Sequence, residues 1–356
     1  MTREDQVSFE KDDNMLNNKV ILITGGTGSF GKKFLETVFD RYTPRKVIVY
    51  SRDDYKQFEL QQTYPIDGQY PIRYFIGDVR DYSRLRRAME GVEIVVHAAA
   101  MKQVPAAEYN PFEAVKTNIL GSQNVVDAAM DSGVKRVMAI SSDKAVAPVN
   151  LYGATKLAAD KLFIAANNYR GAKDIKFAVV RYGNVMGSRG SVIPFFLKHR
   201  DKGFFPITDV RMTRFNITLP EAVNFVLQHL KGMYGGETFI PKIPSYRILD
   251  VAKAIAASCE IKIVGIRPGE KLHEDLLTAN DAMTTLEYDD HFIIFPSLFH
   301  LKQYKARYNG HSGKLCEFGF SYTSGNNPAF LSIEEIQNLI ARMHVEPKLV
   351  PENSVH

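Results

Sequence analysis

VILITGGTGSFGKKF, residues 20–34, decides the fold. Five apolar residues run directly into a glycine-rich turn and then into an amphipathic stretch. Gly26, Gly28 and Gly31 satisfy G-x-G-x-x-G, and Gly25, Gly28 and Gly31 satisfy the G-x-x-G-x-x-G variant. Glycines let the backbone approach a pyrophosphate, and N–H groups at a helix start stabilise its charge. Gly25, Thr27, Gly28, Ser29, Phe30 and Gly31 are therefore candidate dinucleotide contacts. Such a turn also serves packing alone, so its weight comes from its surroundings.

Outward from it, KVIVY (46–50), IRYFI (72–76), EIVVH (93–97), KRVMAIS (135–141) and KFAVVRY (176–182) read as buried parallel strands. Helix-like segments separate them; ILGSQNVVDAAMDSG ends at Gly133, a fitting C-cap. This alternation predicts an α/β class, a doubly wound parallel-sheet Rossmann fold with helices on both faces. After Gly187 the rhythm breaks into Pro-, Gly- and aromatic-rich stretches (SRGSVIPFF, KGFFPITD, FIPKIPSYR). A smaller C-terminal substrate-binding domain is expected there, over the carboxyl ends of the strands. The expected division is a flexible leader at 1–17, the main part of the NADP-binding domain at 18–187, a mainly substrate-binding domain at 188–340 and a tail at 341–356.

Composition excludes several classes. The net charge of +5, from 45 basic and 40 acidic residues, is too small and dispersed for nucleic acid, but leaves room for an anionic-ligand pocket. No run of 18 apolar residues suggests a membrane span, and MTREDQVSFEKDDN has no apolar core of a signal peptide. Cys259 and Cys316 lie far apart without metal-ligand spacing, so no metal and a cytoplasmic setting are expected.

The second strand ends in Tyr50-Ser51-Arg52-Asp53-Asp54, where the adenosine ribose belongs. Ser51 and Arg52 suit a 2′-phosphate and favour NADP; Asp53 keeps NAD open, and a solvated loop is the bland alternative. Asp78 and Val79 end the third strand near the adenine, and Ala98 is small enough to leave the cofactor room. The fifth strand runs into SSDKAVAPVNLYGATKLAADKLF, residues 141–163. Tyr152 and Lys156 stand i, i+4 on one helix face, where a cation favours the phenolate, unless they are only a surface pair. Ser142 is placed to hydrogen-bond a substrate oxygen.

T-G-G-T-G-S-F-G, D-V-R-D, H-A-A-A-x-K, S-x-D-K-A, Y-G-A-T-K, R-Y-G-N-V-x-G-S-R-G-S-V and R-P-G-E-K-L-H-E together resemble the extended short-chain dehydrogenases, over roughly residues 17–340. More narrowly the chain resembles the inverting UDP-N-acetylglucosamine 4,6-dehydratases that begin pseudaminic acid synthesis. Retaining relatives carry Asp-Glu and epimerases small residues where this chain has Asp143-Lys144. The resemblance implies an enzyme, a hydro-lyase, that turns UDP-N-acetylglucosamine into UDP-2-acetamido-2,6-dideoxy-β-L-arabino-hex-4-ulose, with hydride moving from C4 to NADP to C6. It implies Lys144 as the C5 base, Asp143 as the acid at O6, and Tyr152 as the base at O4 that later reprotonates C5. A basic Lys144 must be largely neutral, through desolvation or a neighbouring cation such as Lys102.

The same resemblance makes Lys102 a cofactor and substrate contact, Asn184 and Arg189 contacts to the diphosphate sugar, and Arg267 and Glu270 contacts to the nucleotide. Arg211 and Arg214 either add positive charge or are solvated, and Asn216 replaces a Trp of some relatives in the sugar pocket. A homo-oligomer is implied, a hexamer by analogy. The alternatives are another UDP-sugar 4-epimerase or dehydratase of the superfamily, and a non-catalytic NADP-binding regulator. Relatives feeding capsule sugars often lack the Tyr of Y-x-x-x-K, which this chain retains.

Overall fold

The computed structural model describes residues 14–188, 191–307 and 313–345. Each expected run forms a strand: β1 (Val20–Thr24), β2 (Lys46–Ser51), β3 (Ile72–Ile76), β4 (Ile94–His97), β5 (Arg136–Ile140) and β6 (Lys176–Val180). β1, β4, β5 and β6 are buried on both faces, as is β2 after Lys46, but β3, expected to be buried, is the edge strand and leaves Arg73 and Ile76 exposed. Ile21 and Ile23 face one core with Val47, Val49 and Val96. Val20 and Leu22 face the other with Ile48, Val95 and Val137. The side-chain period of two thus separates two cores across one sheet.

Among the described residues the main sheet has ten strands. Its parallel part runs β3-β2-β1-β4-β5-β6 and continues into Thr238–Pro241. Strands His291–Ile294, Thr285–Glu287 and Lys314–Leu315 extend it antiparallel, so chain from beyond residue 187 completes the sheet. The order reverses between β1 and β4, and open sheets of this kind bind ligands outside the carboxyl ends of the strands at that point.

Beyond those ends lies a smaller layer. Strand Thr213–Ile217 pairs with Asn184–Val185 on one side and Ser245–Arg247 on the other. Phe215 and Ile217 of this strand belong to the main core, while Tyr246 of its neighbour joins a separate core with Ile193, Phe196, Phe205, Val251 and Ile336.

Two boundaries move. Residues 14–17, expected in the leader, are packed: Leu16 is fully buried in the main core and the Thr43 N–H donates to Asn17 Oδ1 at 2.8 Å. Burial of an apolar side chain outweighs the polarity of its neighbours. Helix Ile333–Val345 crosses the expected start of the tail because Ile336 and Ile340 are buried in the smaller core. Residues 1–13 and 346–356 lie outside the described residues. Among the described residues no helix is long and apolar enough to cross a membrane, and no His/Cys/Asp/Glu group could hold a metal ion.

Candidate active site

The glycine-rich turn is built for close approach. Gly25 has φ +68°, and a Cβ there would lie 2.9 Å from the Ala99 nitrogen. A Cβ on Gly31 would lie 2.4 Å from Gly26 Cα, so only glycine lets helix Ser29–Arg41 start this tightly against the turn. Gly28 is that helix's N-cap and offers no side-chain cap, which leaves the first-turn N–H groups of Ser29, Phe30 and Gly31 for an anion. The residues present fit a dinucleotide pyrophosphate.

Around this turn the structure assembles several expected cofactor contacts. Thr27 Oγ1 lies 2.9 Å from Ser51 Oγ, joining the turn to the end of β2. Arg52 is exposed with a guanidinium nitrogen 3.9 Å from Asp78 Oδ2, so β2 and β3 present their polar ends together. Asp53 instead caps helix Asp54–Thr63, accepting the Lys56 N–H at 3.0 Å, and Lys56 holds its carboxyl below the ordinary range. Asp78 is held by Arg80, while Val79 is buried and its carbonyl accepts from Asn124 at 3.0 Å. The Ala98 N–H donates to Thr24 O at 3.2 Å and closes the crevice floor. His97 is buried against Thr24, and burial, with Lys156 nearby, pushes it down to about 3; it is a neutral structural group.

Asn150 starts the helix that carries the expected tyrosine and lysine. Its side chain accepts the Gly153 N–H at 2.7 Å, capping Leu151–Tyr169. A Cβ on Gly153 would fall 2.2 Å from the Lys144 carbonyl oxygen, so this glycine lets Tyr152 sit directly over the Asp143-Lys144 turn. Tyr152 is 7% exposed. Burial pushes its phenol up to about 12, against the pull of the Lys144 charge and a hydrogen bond with Ser142. The phenol is therefore the resting form.

Lys156, one helical turn on, donates its ammonium to Ile140 O at 2.8 Å, and burial lowers its pKa despite Asp160 nearby. The charge of Lys144 also pulls the phenol down. One helical turn sets neighbours on a face but not where a long side chain ends.

Asp143 is fully buried on its 3-10 turn. Its Oδ1 accepts from Ser142 at 2.7 Å and from Lys144 Nζ at 3.0 Å, while its buried Oδ2 has no partner. Lys144 Nζ also donates to Asn184 Oδ1 at 3.2 Å and lies 3.6 Å from Glu274 Oε1. Burial alone would lower the lysine, but Asp143 and Glu274 outweigh it and hold Lys144 above its ordinary value, with Arg214 opposing them. At rest the lysine therefore carries its proton, and the neutral form expected once substrate binds has still to be generated; the nearby cation is Arg214. Lys102 is exposed, with no ion pair among the described residues, and partial burial lowers its pKa.

The small sheet supplies the opposite wall. Tyr246 is in register with Arg214, and Asn184 with Asn216. Arg214 and Asn216 are two apart on one strand, so these four side chains share a face. Tyr246 is buried and pushed up to about 12 by burial, with Arg214, Lys144, Asn184 and Asp143 around it. Buried Asn216 Oδ1 is unpartnered and faces the same side. The sequence reading missed Tyr246 and Glu274, and also Asn118, whose amide bonds Met101 and Thr155 from a π-helical turn. Glu274 closes the quoted R-P-G-E-K-L-H-E stretch, and the π turn, frequent at functional sites, leaves no pattern in the sequence.

Other expected contacts lie further out. Arg267 is exposed and paired with Glu270 at 3.0 Å, on a loop tied to the Tyr152 helix by Asn150 Nδ2 donating to Gly269 O at 2.8 Å. Arg211 is exposed and turned to Asp209 at 2.8 Å, away from the cluster. Arg189 lies outside the described residues.

Residues 21–296 match the family described as polysaccharide biosynthesis protein. The UDP-N-acetylglucosamine 4,6-dehydratase (inverting) of Campylobacter jejuni subsp. jejuni serotype O:2 is 53% identical over 331 residues, covering 92% of this chain and 98% of that protein. The UDP-glucose 4-epimerase of Rickettsia canadensis is 37% identical over 93% of this chain and 97% of its own. The X-ray structure of Pen from Bacillus thuringiensis superposes with a TM-score of 0.82 at 40% identity, covering 92% of this chain and 99% of that one. The chain belongs to the polysaccharide biosynthesis protein family, in the branch of the inverting UDP-N-acetylglucosamine 4,6-dehydratases.

Proposed function

We propose that the protein dehydrates UDP-N-acetylglucosamine to the 4-keto-6-deoxy sugar nucleotide with inversion at C5, using NADP. The observation that carries this reading is the convergence of Tyr152, Asp143 and Lys144 in one buried cluster at the carboxyl ends of the strands, with Lys144 Nζ 3.0 Å from Asp143 Oδ1. A dinucleotide held at the glycine turn of residues 25–31 would supply hydride chemistry between C4 and C6. The chain's own groups handle the protons. Tyr152, once it has released its own phenolic proton to solvent, takes the proton of the C4 hydroxyl as a phenolate; the ketone formed acidifies C5. Lys144 then takes the C5 proton while Asp143 protonates the departing C6 oxygen, and Tyr152 returns its proton to C5. Epimerisation at C4 needs no acid and base beyond the tyrosine, so the buried Asp143–Lys144 couple favours dehydration over the 4-epimerase reading. Retention of both Tyr152 and Lys156, buried on one helix, weighs against a non-catalytic regulator.

Mass spectrometry and NMR on the product from UDP-N-acetylglucosamine in heavy water test this. Loss of one water and a deuterium at an inverted C5 are expected; an isomer of unchanged mass overturns the reading in favour of epimerisation. Family membership further supports a cytoplasmic homo-oligomer feeding pseudaminic acid synthesis.

The choice of NADP is supported by the end of β2. Asp53 is committed to capping, whereas Ser51 and the exposed Arg52 lie beside the glycine turn. Arg52→Asp is expected to weaken NADP by at least about tenfold more than NAD, the scale of one charge-assisted hydrogen bond. Titration of both cofactors into the variant checks this, and equal losses remove Arg52 from 2′-phosphate recognition.

A further inference from the structure

The proposed reaction needs Lys144 as a free amine and Asp143 as a carboxylic acid, yet at rest they form an ion pair, Nζ to Oδ1 at 3.0 Å. One proton moved along that hydrogen bond makes both working forms. An N–H bond breaks, an O–H bond forms, and the pair stays neutral without help from solvent. Elimination then returns a proton to Lys144 from C5 and takes one from Asp143 to the leaving water, restoring the resting pair.

A third carboxylate bears on this equilibrium. Glu274 is 4% exposed, and its Oε1 lies 3.6 Å from Lys144 Nζ and 3.6 Å from Arg214 Nε. Its position is rigid. Its backbone N–H donates to Ser324 Oγ at 2.9 Å, its carbonyl accepts the Ser324 N–H at 2.8 Å, and Ser324 Oγ lies 2.7 Å from Thr213 Oγ1. Arg214 is held likewise, donating to Thr213 O at 2.7 Å and Leu272 O at 3.2 Å. A buried carboxylate fixed against a prospective base is costly unless its charge is used.

We infer that Glu274 is a positioning residue that sets the pH range in which the Asp143–Lys144 couple holds its single transferable proton, with Arg214 as the opposing charge. The inference rests on the dehydratase reading above. The titratable and charged groups facing Lys144 are Asp143 from its own turn, Tyr152 from helix Leu151–Tyr169, Arg214 and Tyr246 from the small sheet, and Glu274. The couple works with one proton and fails with none or two, so kcat follows a bell whose limbs belong to the pair. Removing the negative charge of Glu274 weakens the hold on both protons and moves both limbs to lower pH. Removing the positive charge of Arg214 moves them to higher pH.

The test is the pH profile of kcat for the full chain with NADP and UDP-N-acetylglucosamine, in wild type, Glu274→Gln, Glu274→Asp and Arg214→Gln. Glu274→Gln is expected to shift both limbs down by about one pH unit, a tenfold change in proton affinity. Glu274→Asp is expected to keep the wild-type limbs at reduced rate, and Arg214→Gln to shift them up. Unmoved limbs in either charge-removing variant, or an equal shift in Glu274→Asp, overturn the inference while leaving the dehydratase reading intact. A wild type that forms no dehydrated product overturns both.

Discussion

Lys144→Met is expected to lower kcat for dehydration by about 10³-fold, within the range for loss of a positioned general base, while NADP binding stays unchanged. The methionine keeps most of the side chain's length but has no proton to exchange, so deuterium from solvent stops entering C5. Tyr152 remains, and hydride can still leave C4, so reduced nicotinamide should accumulate and be visible by its absorbance. NMR of recovered substrate and product in heavy water checks the exchange. Full exchange in the variant assigns the C5 base to another residue. The structure makes the prediction sharper than the sequence did, because Lys144 donates to both Asp143 and Asn184 and approaches Glu274. A lysine so held is an ammonium at rest and becomes a base only by passing its proton on.

Tyr152→Phe is expected to cost more, about 10³- to 10⁴-fold in kcat, toward the upper end for proton transfer by a positioned side chain. In the proposed mechanism Tyr152 is used twice, first to take the C4 hydroxyl proton and later to return one to C5. The phenylalanine ring keeps the packing against Ala107 and Ala114, so thermal stability should hold. The signature differs from that of Lys144→Met: no reduced nicotinamide forms on mixing with UDP-N-acetylglucosamine, because the reaction stops before hydride leaves C4. Rapid-mixing absorbance separates the two variants. A Tyr152→Phe enzyme that still reduces its nicotinamide at the wild-type rate removes the phenol from the first step. With the phenol pushed up to about 12 by burial, Tyr152 must shed its own proton to solvent before it can take that of the C4 hydroxyl.

Much of this site could be read before any fold was known. The Tyr152–Lys156 spacing and the adjacent Asp143-Lys144 are local patterns, and a helix and a tight turn hold local patterns together. Glu274 was harder. It lies in the same motif as Arg267 and Glu270, but nothing in the spacing distinguishes the carboxylate that turns inward from the one that pairs at the surface. Tyr246, Arg214 and Asn216 depended on strand register, since a slip of one residue would turn each to the opposite face.

By itself the sequence determined the doubly wound sheet, the glycine turn between β1 and its helix, and the pairing of a tyrosine helix with an Asp-Lys turn. Apolar periodicity and local sterics act over a few residues and survive without knowledge of the rest. Only the tertiary structure decided the charge states and the far wall. Lys144 is held above its ordinary value first by Asp143 and then by Glu274, 130 positions along the chain, and Tyr152 feels the charge of Lys144. Electrostatic energy depends on distance and burial in space, and neither is written in the order of residues.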